Sequence, residues 1–182
     1  MVIPRGKATG GSSAINGQVL FRGVPEDYGN WAAWGNTEWE FTKVLPYFRK
    51  LENDLDFQGD DFHGMDGPIP VRRYKRQDLL PSFQAFYDTC VEMGFPVDSD
   101  QNHPDSNGIA FRPLNNIDGV RMSAALTYLT LARHRLNVTI RGGVTAQRII
   151  FEGKTAVGIE VESGGGPEER GVGKEGRARR WR

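Results

Sequence analysis

Apolar and polar positions divide this chain into helical, irregular and alternating stretches. Gly10-Gly11-Ser12-Ser13 opens a mixed apolar run, Ala14 to Phe21, which predicts a helix with Ser12 or Ser13 as its N-cap. Arg22-Gly23-Val24-Pro25 breaks that run, and Pro25-Glu26-Asp27-Tyr28 predicts a second, short helix through Trp31 and Trp34. Proline and acids suit a first turn, where N–H groups lack partners and the helix dipole favours negative charge. Gly35-Asn36 ends it. Phe41, Val44, Leu45 and Phe48 then fall on one face of a third helix, Glu40 to Leu51. From Glu52 to Gly67 the chain is polar and glycine-bearing and reads as a long surface loop. Pro68-Ile69-Pro70-Val71 is extended, because a residue before proline is sterically kept out of the helical region. Pro81 to Met93 predicts a helix with Cys90 on its apolar side, Asn102 to Asn107 a turn-rich stretch, and Ala110 to Asn115 a strand. Ser123 caps a helix from Ala124 to Arg133. The period then switches to alternation. Val138 to Arg141, Thr145 to Phe151 and Ala156 to Glu162 read as strands, the last two forming a hairpin across Glu152-Gly153-Lys154. Residues 164–182 lose the pattern and read as a disordered basic tail. The sum is an α+β chain.

Composition narrows the function classes. The 182 residues carry 23 basic and 23 acidic side chains, a formal net charge of zero, which argues against a protein held to nucleic acid by phosphate contacts and against a polybasic membrane module. No stretch approaches the ~18 apolar residues of a membrane span, and the N-terminus shows no signal-peptide pattern. The single cysteine, Cys90, reads as a packed thiol in a reducing compartment, so the expected location is cytoplasmic. His63, His103 and His134 show no ligand spacing, so no metal site is expected. Asn137-Val138-Thr139 is read as a chance sequon.

The chemistry-bearing signal lies at the front. In Arg5-Gly6-Lys7 followed by Gly10-Gly11-Ser12-Ser13 and Ile15-Asn16-Gly17, paired glycines let backbone approach a ligand closely, and hydroxyls then cap a helix whose free N–H groups and dipole face an anion or ring edge. Taken alone, the same residues also fit a plain Gly-Ser turn. The order excludes a P-loop, since Gly-Lys precedes the glycine pair. Gly171-Val172-Gly173-Lys174-Glu175-Gly176 spells a dinucleotide fingerprint, but without the strand and helix that fold requires.

Context adds a resemblance. Pro4 to Gly17, then Arg22-Gly23-Val24-Pro25-Glu26-Asp27-Tyr28 and Trp31, closely resembles the first signature of the glucose-methanol-choline (GMC) oxidoreductases, flavoproteins that oxidise alcohols. The likeness continues through Val44-Leu45-Pro46-Tyr47-Phe48, His63-Gly64-Met65-Asp66-Gly67-Pro68, Asp118-Gly119-Val120-Arg121, Ser123-Ala124-Ala125 and Ala156-Val157-Gly158-Ile159, covering roughly residues 2 to 163. It implies three parts within 1–163: a flavin-contacting segment (1–35), a lid and partial substrate region (36–130), and β-strands of the FAD domain (131–163).

By the resemblance, Gly10, Gly11, Ser12, Ser13, Asn16, Gly17, Gln18 and Val19 lie along FAD, and the backbone of Ala146 meets its adenine side. Ile15 stands where some members carry a histidine bonded covalently to flavin, so FAD is expected to be noncovalent. Thr9, Leu20 and Gly29 depart from the usual aliphatic, aromatic and polar residues there. The implied reaction passes a hydride from a small-molecule alcohol to flavin and electrons onward to oxygen or a quinone-type acceptor. The family's N-terminal dinucleotide-binding turn and C-terminal catalytic histidine are not in these residues, so no catalytic residue is assigned, and His63 is expected to be structural. Two rival readings stand beside this one: a catalytically inactive truncated fragment, and a small binding module using the basic tail, with six basic residues against three acids after Gly164.

Overall fold

In the computed structural model, residues 1–163 are described in full and 166–171 as backbone. The chain forms two compact units, Met1–Thr130 and the part from Leu131 onward.

The first unit begins with extended chain and a single 3-10 turn, Gly11–Ala14. The helix expected over Ala14 to Phe21 does not form. Its two capping candidates are engaged elsewhere: Ser12 Oγ accepts from Gly6 N–H (3.2 Å), while Ser13 Oγ donates to Gly10 O (2.5 Å) and accepts from Ala124 N–H (2.9 Å). The chain beyond Asn16 instead runs extended, Val19 bridging to Leu114.

Helix α1 (Pro25–Ala33) has Pro25 in its first turn, and Asp27 Oδ2 accepts the Val24 N–H at 3.1 Å, satisfying a donor the helix leaves unpaired. Gly35, at φ +98°, turns the chain away just past its end. Helix α2 (Phe41–Leu51) packs against it: buried Tyr28 stacks edge-on to Trp31 and Phe48, with ring centres 5.6 and 5.8 Å away. Arg49 and Lys50 in the last turn of α2 suit the negative end of its dipole.

The stretch read as a polar surface loop is a correction. Its first residues are β1 (Glu52–Asp54), paired in parallel with β2 (Ile69–Val71), and Glu52 and Asp54 are fully buried beside Val71. Their alternation carries no apolar pattern because what they bury is charge. Helix α3 (Pro81–Glu92) forms as expected, yet none of its residues is buried and Cys90 is half-buried rather than packed in a core. Ala110 to Asn115 is not a strand; β3 (Asn116–Ile117) and β4 (Val120–Arg121) form a two-residue ribbon just after it. A π-wound turn, Ala125–Leu129, runs into the short α4 (Thr130–Ala132).

The second unit is an antiparallel meander, β5 (Thr145–Glu152), β6 (Thr155–Ser163) and β7 (Gly166–Gly171). Glu152 pairs with Thr155, so Gly153, at φ +61°, and Lys154 form the hairpin turn. Val138 to Arg141 is not in a strand. The stretch 164–182 was read as disordered; within it the backbone of Gly166–Gly171 pairs with the free edge of β6, since ladder bonding needs no apolar side chains, and the rest of that reading lies outside the described residues.

Candidate cofactor-binding loop and its buried charge network

Residues 10–19 form a loop whose backbone is bent by two adjacent left-handed glycines, Gly10 at φ +93° and Gly11 at φ +58°. The two have different surroundings. A Cβ on Gly10 would lie 3.2 Å from Ala125 Cβ, whereas one on Gly11 would meet nothing within 4 Å, so Gly11 presents bare backbone to open space. Gly6 underlies them: a Cβ there would fall on the carbonyl oxygen of Gly11. Gln18 is held in a conformation unusual for a side-chain-bearing residue, φ +62°. Three bonds hold it there: Gln18 N–H donates to Asn16 Oδ1 (3.0 Å), Asn116 Nδ2 to Gln18 Oε1 (2.7 Å), and Asn115 N–H to Gln18 O (2.7 Å). Strain of this kind persists only where neighbours enforce it, and it gathers at ligand-binding loops.

The loop is clamped by the segment after β3. Arg121 Nη1 donates to Asn16 O (2.5 Å) and Asn16 Oδ1 (2.9 Å), and reaches Ser13 O at 3.4 Å. Sequence reasoning singled out neither Arg121 nor Asn116 as site residues; the only signal was that Asp118 to Ala124 shared the resemblance. Gly10, Gly11, Ser12, Ser13, Asn16, Gly17, Gln18 and Val19 thus form one continuous loop, while Ala146 lies in β5 of the second unit.

A dinucleotide cofactor needs backbone that can be approached closely, and polar groups not already spent on the fold. Gly11 meets the first requirement. Ser12, Asn16 and Gly17 are exposed, and among the described residues Asn16 Nδ2 has no partner. The two serine hydroxyls hold the loop together, so the expected serine-capped helix terminus contributes no anion site. The loop fits FAD through its backbone and Asn16.

Where the loop leaves, Arg22 enters a buried network. Arg22 pairs with Glu52 and donates to Phe62 O (2.6 Å), and its N–H donates to Asn102 Oδ1, whose own amide donates back to Leu20 O. His63, 1% exposed, sits at the centre: Nε2 lies 2.8 Å from Asp100 Oδ2, and Nδ1 is 3.1 Å from both Glu52 Oε1 and Asp54 Oδ2. Arg73 joins Asp54 (2.9 Å) to Asp100 (2.7 Å) and lies over the Phe57 ring, which stacks on His63.

Three buried carboxylates face two guanidiniums and one imidazole, so a protonated His63 makes the set neutral. Burial acts to discharge His63, but hydrogen bonds to Asp100, Asp54 and Glu52 outweigh it and push its pKa up to about 11. Burial likewise opposes charge on Asp54, yet hydrogen bonding to His63 and the Arg73 charge bring it down to about 2. Glu52 and Asp100 are also held below their ordinary range, against burial, by hydrogen bonds from His63 and, for Glu52, from Arg22. Glu52, Asp54 and His63 converge closely enough to hold a cation. Arg22 pairs with Glu52 and Arg73 with Asp54, so both carboxylates of this group already face a cation.

Comparison with known proteins follows the same outline. The sequence profile described as GMC oxidoreductase matches residues 1–175. An uncharacterized GMC-type oxidoreductase of Rhodococcus erythropolis is 43% identical over 159 residues, 87% of this chain and 31% of that protein. An oxygen-dependent choline dehydrogenase of Vibrio vulnificus is 40% identical, over 89% of this chain and 29% of that protein. The crystal structure of pyridoxine 4-oxidase from Mesorbium loti superimposes with a TM-score of 0.83 at 31% identity, over 92% of this chain and 33% of that one. The chain therefore spans about a third of the length of the relatives it matches.

Proposed function

The chain belongs to the GMC oxidoreductase family, and from that premise we propose that it supplies the flavin-contacting loop and lid region of an FAD-dependent oxidoreductase acting on the CH–OH group of small alcohols. The carrying observation is the Gly10-Gly11 loop, open at Gly11 and braced through Ser13 by Ala124 and through Asn16 by Arg121. The names of the relatives, oxygen-dependent choline dehydrogenase and pyridoxine 4-oxidase, support a small alcohol as donor and oxygen as acceptor, with a quinone-type acceptor as the alternative.

Bound FAD supplies hydride acceptance, which amino-acid side chains cannot provide. The residues of this chain position it. Gly11 lets main chain lie against the cofactor while Gly10 lets the loop pack on Ala125, Asn16 offers an amide donor, and Gly17, Gln18 and Val19 continue the contact edge. For Ala146, in β5, the adenine contact is carried over from the resemblance alone. The network around His63 fixes the exit of the loop through Arg22 and Asn102, so that the loop need not be ordered when ligand arrives. Within 10–19 there is no titratable side chain, so the loop binds and orients rather than moves protons.

Ile15 offers no nucleophile, so attachment is noncovalent. Titrating the chain with FAD should quench flavin fluorescence, and precipitating the loaded protein with acid should leave the yellow colour in the supernatant. Absence of quenching would remove the cofactor reading; colour in the pellet would show a covalent bond. No helix among the described residues is long and apolar enough to cross a membrane.

A further inference from the structure

We propose that Arg121 is the positioning residue of the cofactor loop: it grips the Asn16 carboxamide by its oxygen, so that the Nδ2 donor is what the loop presents to the acceptor edge of a bound flavin ring. The proposal rests on the cofactor reading above.

A guanidinium carries donors only, so Arg121 can engage the Asn16 amide only through oxygen. Its Nη1 lies 2.9 Å from Asn16 Oδ1 and 2.5 Å from Asn16 O, gripping side chain and main chain of one residue together. A second donor, Gln18 N–H, points at the same Oδ1 from 3.0 Å. Rotating the amide by half a turn would set its NH₂ against both donors and lose both bonds, so its orientation has one answer. The nitrogen is left on an exposed residue with no partner among the described residues.

Arg121 is itself well placed for this task. It sits in β4, opposite Asn116 of β3, across a turn formed by Asp118 (φ +50°) and Gly119 (φ +81°). Asn116 ties the two ends together, its Oδ1 accepting Gly119 N–H at 2.9 Å and its Nδ2 donating to Gln18. Among the described residues no carboxylate pairs with Arg121, so its charge is directed to the loop's oxygens, where a charged donor makes the stronger bond. A donor held against the ring favours its electron-rich reduced form, so the arrangement also tunes redox potential.

The test begins on the full chain without cofactor. Nuclear magnetic resonance of the Asn16 side-chain amide should show it ordered in the wild type and mobile in Arg121→Met; equal order in both would overturn the proposal. With FAD added, Arg121→Met and Asn16→Ala should each weaken binding about tenfold, the loss of one well-placed polar contact. The midpoint potential of bound FAD should move to more negative values in both, and Arg121→Met should cause no further shift in the Asn16→Ala background. A further shift there would mean that Arg121 does not act through Asn16. If Arg121→Met fails to fold, Arg121→Lys, which keeps the charge but loses the planar fork, carries the same measurements. No FAD binding by the wild-type chain would overturn the cofactor reading and the flavin-facing part of this proposal, whereas unchanged amide order would overturn the role of Arg121 alone.

Discussion

At the scale of single residues, Gly6, Gly11 and His63 have roles that differ in testable ways. Gly6 and Gly11 look alike in sequence, but a Cβ on Gly6 would strike the backbone of Gly11 while one on Gly11 enters open space at φ +58°. Gly6→Ala should therefore act on the fold, costing on the order of 1–3 kcal/mol in denaturant unfolding as an overpacked site does. Gly11→Val should cost only about 1–2 kcal/mol for its left-handed backbone while abolishing FAD quenching; unchanged affinity in that variant would place the cofactor elsewhere. His63 sits among three carboxylates that it neutralises together with Arg22 and Arg73. His63→Gln leaves buried charge uncompensated and should cost about 3–5 kcal/mol. The pH profile follows from the direction of each shift. His63 is raised from 6.5 to about 11, so its contribution is complete below pH 6.5 and is lost as pH rises toward 11. Asp54 is lowered from 3.8 to about 2, so its contribution is complete above pH 3.8 and fades as pH falls toward 2. Unfolding midpoints measured across this range should decline at both ends, and His63→Gln should flatten the alkaline decline.

At the scale of elements, the loop from Leu55 to Pro68 shows how a polar stretch becomes rigid. It closes the parallel pair β1–β2 and lies directly on the end of α2: a Cβ on Gly64 would strike the carbonyl oxygen of Arg49, and one on Gly67 the N–H of Glu52. Both obstacles are backbone and cannot rotate away. Gly64→Ala should thus lower the melting temperature more than Gly59→Ala, although Gly59 has positive φ, because a Cβ at Gly59 meets nothing within 4 Å. Circular-dichroism melting of the two variants decides it; a milder effect at Gly64 would mean that the loop does not bear on α2. The same element explains why Glu52 to Gly67 resisted sequence reading. Burial usually announces itself through apolar periodicity, and here the buried face of β1 is Glu52 and Asp54, stabilised by partners as distant in sequence as Arg22, His63 and Arg73.

At the scale of the whole molecule, large apolar side chains remain uncovered. Along α3 and its flanks Leu80, Phe83, Phe86 and Met93 are all more than half exposed, and among the described residues the buried apolar set is small: Tyr28, Val44, Val71 and Val161. An uncovered face of this kind binds apolar dyes and partner surfaces. The folded chain should enhance the fluorescence of anilinonaphthalene sulfonate, and Phe83→Ser combined with Phe86→Ser should reduce that enhancement without lowering the melting temperature, since neither ring is buried. A fall in melting temperature equal to that of a core substitution would show that α3 is packed after all.

What the sequence determined was whatever depends on neighbours along the chain. Proline, acids and an apolar stripe specified α1 and α2; alternation around Gly153 specified the β5–β6 hairpin; the glycine pair marked the loop, and the long motif match marked its family. Tertiary structure decided what depends on partners far away in the chain. Ser12 and Ser13 could cap a helix or staple a loop with equal chemistry, and the nearness of Gly6 and Ala124 chose the staple. His63 stands alone in the sequence, and only folding brings Glu52, Asp54 and Asp100 to its ring. Arg121 reads as an ordinary basic residue until folding brings it to Asn16, over a hundred positions earlier. A hydrogen bond's donor and acceptor types are written in the sequence, but which of them meet is fixed only when the chain closes on itself.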